Sequence, residues 1–131
     1  MPTLETLFSK LKNVKVIDDS IIYSHYIPID LSISNIDLSE IDMKNSKDFE
    51  TYIENHIEKN HAKVAFGGYN EERNLYKQTS LFDDDQADER NVHIGMDLWI
   101  KAKTPVLAAL DGKVYGFDYN AGAGNYGQQL Y

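Results

Sequence analysis

Apolar positions recur with helical spacing twice in this chain. Leu4, Leu7, Phe8 and Leu11 fall at i, i+3, i+4 and i+7 behind Thr3, a capping side chain, so residues 3–12 read as a short amphipathic helix with its stripe toward the core. The second stripe is clearer: Phe49, Tyr52, Ile53 and Ile57 share one face, Asn45 or Ser46 can cap the start, and Asp48 and Glu50 suit the positive first turn. His56 and His61 follow near its end, where cations complement the helix dipole; their i, i+5 spacing does not place both on one face.

Elsewhere the pattern is that of strands. Val14–Asp18 and Ile21–Ile27 are β-branched and aromatic runs separated by Asp19-Ser20, which predicts a hairpin or strand pair. Ala62–Phe66 alternates as a strand does, and Gly67-Gly68 permits a sharp change of direction. Strands are also expected at Leu98–Lys101, Val106–Leu110 and Lys113–Asp118, with Asp111-Gly112 as a tight hairpin turn between the last two. A further strand begins at Gln128. Between the second helix and these strands, residues 69–82 read as a long ordered loop. The acidic run 83–89 reads as a solvated loop, since it lacks the glycine and terminal glutamate of a calcium-binding EF-hand. The expected fold class is α+β: an N-terminal region of helices and strands, residues 1–89, followed by an antiparallel β-rich half, residues 90–131, the two also being compatible with one continuous domain.

Composition narrows the function classes. A chain of 131 residues with 42% hydrophobic content suffices for one domain with a real core. With 13 Lys and Arg against 21 Asp and Glu, the formal charge of -8 repels polyanions and excludes nucleic acid as the expected partner. The absence of cysteine removes disulfides and thiolate metal sites. No export leader or membrane-length apolar run is visible, which points to a cytoplasmic location, or an extracytoplasmic one if a leader was trimmed.

The chemically pointed residues are His93, Gly95 and Asp97. Imidazole and carboxylate are normal zinc ligands, and a catalytic zinc usually takes three protein ligands with water in the fourth place. Four residues of extended strand span roughly 13 Å, so the chain must bend for His93 and Asp97 to converge, and Gly95 at the midpoint allows it. On spacing alone two readings stay open: half of a zinc site, or an imidazole hydrogen-bonded to a carboxylate inside a packed domain.

Four ordered elements extend the signal: His93-Ile94-Gly95-Met96-Asp97-Leu98-Trp99, Lys103-Thr104-Pro105-Val106-Leu107-Ala108, Asp111-Gly112-Lys113-Val114 and Gly124-Asn125-Tyr126-Gly127. From Arg90 to Tyr131 the chain thereby resembles the lysostaphin-type, or β-lytic, zinc metallopeptidases. The resemblance implies zinc held by His93 and Asp97, a largely antiparallel β fold, and hydrolysis of peptide bonds in glycine-rich cell-wall cross-links. It makes Asn125 and Tyr126 candidate substrate contacts. The stretch Gly67–Tyr76 is similar to a lead-in found in some relatives, and Arg73 within it is either a structural ion pair or a bidentate partner for a substrate carboxylate. Two departures stand out: Lys103 replaces the family's usual glycine, and the later His-x-His element, source of the third ligand and of a catalytic histidine, is absent. The other histidines, His25, His56 and His61, lie upstream and match no such motif. The expected protein is therefore a zinc metalloendopeptidase whose catalytic histidine lies beyond Tyr131, with no activity in the 131 residues alone. The alternative is a non-catalytic peptide- or glycan-binding or regulatory module. An unpaired strand ending at Tyr131 further predicts self-association through that edge.

Overall fold

The computed structural model describes residues 3–42, 45–73, 92–122 and 127–131. The fold is mixed α+β, as the sequence patterning predicts. Two compact units divide the chain, Met1–Asp19 with Pro105–Tyr131, and Ser20–Thr104. This differs from a boundary at residue 89/90, because strands after residue 90 take their partners from strands before it. Among the described residues no helix is long and apolar enough to cross a membrane.

The unit Ser20–Thr104 is built on a three-stranded sheet. Strand β1 (Tyr26–Pro28) runs parallel to β2 (Val64–Gly67), and helix α2 (Ser46–Lys59), described below, lies in the connection between them. Strand β2 pairs on its other side, antiparallel, with β5 (Asp97–Trp99), so β2 is central. Two short strands, β3 (Glu71–Glu72) and β4 (Val92–His93), form a separate antiparallel ladder that sets Glu71 opposite His93.

Helix α2 forms where the sequence places it. The Asn45 side chain caps it by accepting from the Lys47 N–H at 3.1 Å. Its apolar face, Phe49, Tyr52, Ile53 and Ile57, packs on a core of Ile29, Leu31, Ile53 and Ala65, joined by Trp99 from β5. His56 does more than complement the helix end: its Nε2 lies 2.9 Å from the carbonyl oxygen of Pro28 and ties α2 to β1. Beyond β1, the Ile29 N–H donates to the Phe66 carbonyl at 2.9 Å and the Ile33 N–H to the Glu72 carbonyl at 2.9 Å. The segment after β1 thus runs along β2 and on to β3, bracing the chain just before Arg73.

The expected hairpin across Asp19-Ser20 is not formed. Residues Tyr23–His25 take a 3-10 turn that diverts the chain into β1, whose partner is β2. The preceding run instead contacts the C-terminal part of its own unit: Ile17 bridges Val106, the Asp18 N–H donates to the Pro105 carbonyl at 3.0 Å, and the Leu107 N–H to the Val16 carbonyl at 2.8 Å. A crossover through a 14-residue helix is what a parallel strand pair requires, and a two-residue turn cannot supply it.

In that unit, α1 (Leu4–Phe8) is capped by Thr3 but covers only five residues, and its stripe is exposed rather than buried, with Leu4, Leu7 and Phe8 all open to solvent. Among the unit's described residues Ile17 is the one buried hydrophobic, so a helix this short has no core to face. The Asp111-Gly112 hairpin is also absent. A primed two-residue turn of the Asp-Gly type needs positive φ at both positions, and neither residue has it. The flanking runs pair elsewhere: β6 (Phe117–Asn120) with β7 (Gly127–Leu130), the Tyr131 N–H continuing the ladder to the Gly116 carbonyl at 2.8 Å. The expected strand at Gln128 is β7.

Lys103, standing where the resembled family has glycine, sits at φ 68°, in the left-handed region that a side chain disfavours. Lys103→Gly is expected to raise stability by roughly 0.5–1 kcal/mol in denaturant unfolding, relief of strain exceeding the added entropy of the unfolded chain. Leu31→Ala, at a position 2% exposed, is expected to cost about 2–5 kcal/mol in the same measurement. Ile36→Ala, at an exposed site, is expected to stay within about 0.5 kcal/mol.

Candidate metal centre

Ladder β3–β4 delivers His93 and strand β5 begins at Asp97, so the motif spans two sheets and the three residues between them make the bend. His93 Nε2 comes to 3.5 Å from Asp97 Oδ1. A Cβ on Gly95 would lie 3.2 Å from His93 Nε2, so any larger residue there would crowd that nitrogen.

The other ring nitrogen is engaged. His93 Nδ1 lies 2.8 Å from the carbonyl oxygen of Gly68. A carbonyl only accepts, so Nδ1 carries the proton, and in the neutral ring Nε2, 3.5 Å from Asp97 Oδ1, is the unprotonated nitrogen. Metal-binding histidines are commonly fixed this way by a backbone acceptor behind the ring. Gly68 has φ +99°, and a Cβ there would meet Arg73 Nη2 at 2.5 Å and His93 Nδ1 at 2.7 Å. Only glycine satisfies both the backbone conformation and the space.

Asp97 is held from behind as well. Arg73 Nη1 donates to Asp97 Oδ2 at 2.8 Å and Arg73 Nε to Glu71 Oε1 at 2.7 Å. The Arg73 side chain is 6% exposed, and its guanidinium carbon lies 5.9 Å from the centre of the Trp99 ring. Burial by itself would lower the pKa of this guanidinium, but the hydrogen bonds and charges of Glu71 and Asp97 outweigh it and raise the pKa above the ordinary arginine value. Of the two readings open for Arg73, the geometry is that of the structural ion pair: two faces of its fork are taken by carboxylates of the chain itself. The third nitrogen, Nη2, is buried with no hydrogen-bond partner among the described residues.

Glu71, Arg73 and Asp97 together carry one net negative charge, two carboxylates against one guanidinium, which favours a cation beside His93. Two ligands held at about 2.0–2.2 Å from a tetrahedral zinc stand roughly 3.3–3.6 Å apart, and His93 Nε2 and Asp97 Oδ1 already have that separation. The pair fits two corners of such a site. Among the described residues no group of three or more His, Asp or Glu side chains converges to complete it. His25, His56 and His61 are placed elsewhere, His56 on the Pro28 carbonyl and His61 past the end of α2. The candidate substrate contacts Asn125 and Tyr126 lie outside the described residues, as does all of the polar and acidic segment 69–89 beyond Arg73.

Glu71 and the Gly68 carbonyl are the contributors that sequence reasoning missed. Glu71 and Arg73 stand two apart in an extended stretch, a spacing that puts both side chains on one face. A groove of about 780 Å³ elsewhere in this unit, between α2 and β5, is lined by Phe49, Ile53, Ile57, Leu98 and Trp99 and includes neither His93 nor Asp97. No family model, curated protein or solved structure matches the chain.

Gly68→Ala is expected to destabilise the protein by at least about 1–2 kcal/mol, from the left-handed backbone alone, and to push the His93 ring off its carbonyl. Denaturant unfolding measures the first effect, and loss of a slowly exchanging His93 Nδ1 proton in the NMR spectrum measures the second.

Proposed function

We propose that this chain carries the metal-binding core of a zinc metalloendopeptidase acting on short peptides, glycine-rich cell-wall peptide being the substrate class implied by the family it resembles. The observation that carries the reading is the separation of His93 Nε2 and Asp97 Oδ1, 3.5 Å, with the opposite atom of each side chain anchored by Gly68 or Arg73. His93 and Asp97 would hold the ion; in the family the chain resembles, the third ligand comes from a His-x-His element, which is not found in these 131 residues. When bound, zinc supplies an activated water at neutral pH and polarises the carbonyl to be attacked. The chain's own residues fix the donors. His93 keeps one tautomer through Gly68, Asp97 keeps one oxygen forward through Arg73, and Gly95 leaves Nε2 uncrowded.

A second reading, a non-catalytic peptide-binding or regulatory module with a residual peptidase framework, is favoured by the lack of a third ligand among the described residues. Zinc dependence separates the two, because a module of that kind holds its peptide equally well after chelation.

Calorimetric titration of the chain with zinc is expected to show one site, weakened more than about 100-fold by His93→Ala and by Asp97→Asn, beyond the 10–100-fold typical of losing a supporting residue. Equal zinc binding by the parent chain and His93→Ala would rule the reading out.

A further inference from the structure

Arg73 occupies an unusual place for a positive charge, directly behind a side chain that faces a cation site. Its contact with Asp97 is made to Oδ2 alone, through Nη1 at 2.8 Å, while Oδ1 is the oxygen turned to His93. The guanidinium is held in place: Nε bonds Glu71 at 2.7 Å, the group is 6% exposed, and its carbon lies over the Trp99 ring, 5.9 Å from the ring centre. Glu71 is itself 11% exposed and placed by the pairing of β3 with β4, opposite His93. The ladder that presents His93 therefore also anchors the arginine that presents Asp97.

We propose that Arg73 is a positioning residue that sets the coordination mode of Asp97, and with it the metal preference of the site: by occupying Oδ2 it leaves a one-oxygen donor. This rests on the zinc reading above. Small cations that take four ligands at short distance are served by one carboxylate oxygen beside one imidazole nitrogen. Larger, oxygen-seeking cations such as manganese and calcium gain from both oxygens of a carboxylate, and Arg73 withholds the second. Glu71 limits the cost of a fixed positive charge so near the ion, since it neutralises the guanidinium from the far side.

Arg73→Lys tests this, because lysine keeps the charge but not the planar fork that spans Glu71 and Asp97 together. The parent chain, Arg73→Lys and His93→Ala are each titrated with zinc alone and with manganese alone. Cobalt(II) replaces zinc in a parallel set read by visible absorption, where four-coordinate cobalt gives an intense band and six-coordinate cobalt a weak one. The expected result is a zinc affinity about 10–100-fold lower in Arg73→Lys with manganese binding retained, and a weaker cobalt band. A zinc-to-manganese preference in Arg73→Lys within about twofold of the parent, with an unchanged cobalt band, would overturn the proposal while His93→Ala still loses zinc. Zinc binding that survives in His93→Ala overturns the zinc reading and this proposal together. Should Arg73→Lys fail to fold, the parent chain alone decides. Its zinc-loaded minus zinc-free infrared spectrum is expected to show the widely split carboxylate stretches of one-oxygen binding, and a narrow, chelating splitting would refute the assignment.

Discussion

A guanidinium at 6% exposure is stable only if its charge is matched, and the matching of Arg73 organises this part of the protein. Its two partners come from different ladders: Glu71 from β3, which pairs with β4, and Asp97 from β5, which pairs with β2. Leaving either carboxylate without Arg73, or Arg73 without either, would strand charge in a partly buried place. The ion pair consequently fixes one ladder against the other and, with them, the bend that brings His93 back to Asp97. A contact of this kind contributes less to net stability than to specificity of arrangement, because desolvation of the charges offsets much of their attraction.

The hydrophobic core reaches the same point from the other side. Ile29, Leu31, Ile53 and Ala65 hold α2 on the sheet, and Trp99 extends that packing along β5 to the guanidinium of Arg73. Asp97 opens the strand that Trp99 closes, with Gly67 opposite it across the ladder. The next residue, Gly68, turns with a positive φ and hands its carbonyl to His93. Two consecutive residues of β2 and its turn thus place both candidate ligands, one through backbone pairing and one through a hydrogen bond. Packing, ladder and site are not separable here, and a change in the core is expected to be felt as a change in donor spacing.

How much of this was legible follows from the range of the interactions. The face of helix α2 was legible, and its cap was narrowed to Asn45 or Ser46, since capping and the Phe49, Tyr52, Ile53, Ile57 face are decided within a few residues; the structure selects Asn45. The need for a bend at Gly95, which follows from strand geometry, was legible too. The partners of the early strands were not legible: a β-branched run at 14–18 looks the same whether it pairs with residues 21–27 or with Pro105–Leu107, and only the tertiary fold chooses. Asp111-Gly112 carries the local signature of a hairpin, yet its flanks are claimed by Ile17 and by β7, and competition of that kind leaves no local trace. Arg73 was visible as a candidate with two meanings; its burial beside Glu71 and Asp97, which take Nε and Nη1, is the geometry of the structural ion pair.

His93 and Asp97 face each other across a distance that is set from behind. An imidazole that hydrogen-bonds a carboxylate through an N–H closes to about 2.7–3.2 Å. The anchors behind each side chain are short, 2.8 Å at Gly68 and 2.8 Å at Arg73, whereas the gap between the two facing atoms is 3.5 Å. With its proton on Nδ1, the neutral His93 ring has none to give Asp97, so two acceptors face each other at 3.5 Å while each side chain makes its short hydrogen bond behind. On the zinc reading proposed above, two donors already restrained at that separation lower the cost of binding, because their arrangement is set during folding and does not have to be set again when a cation arrives.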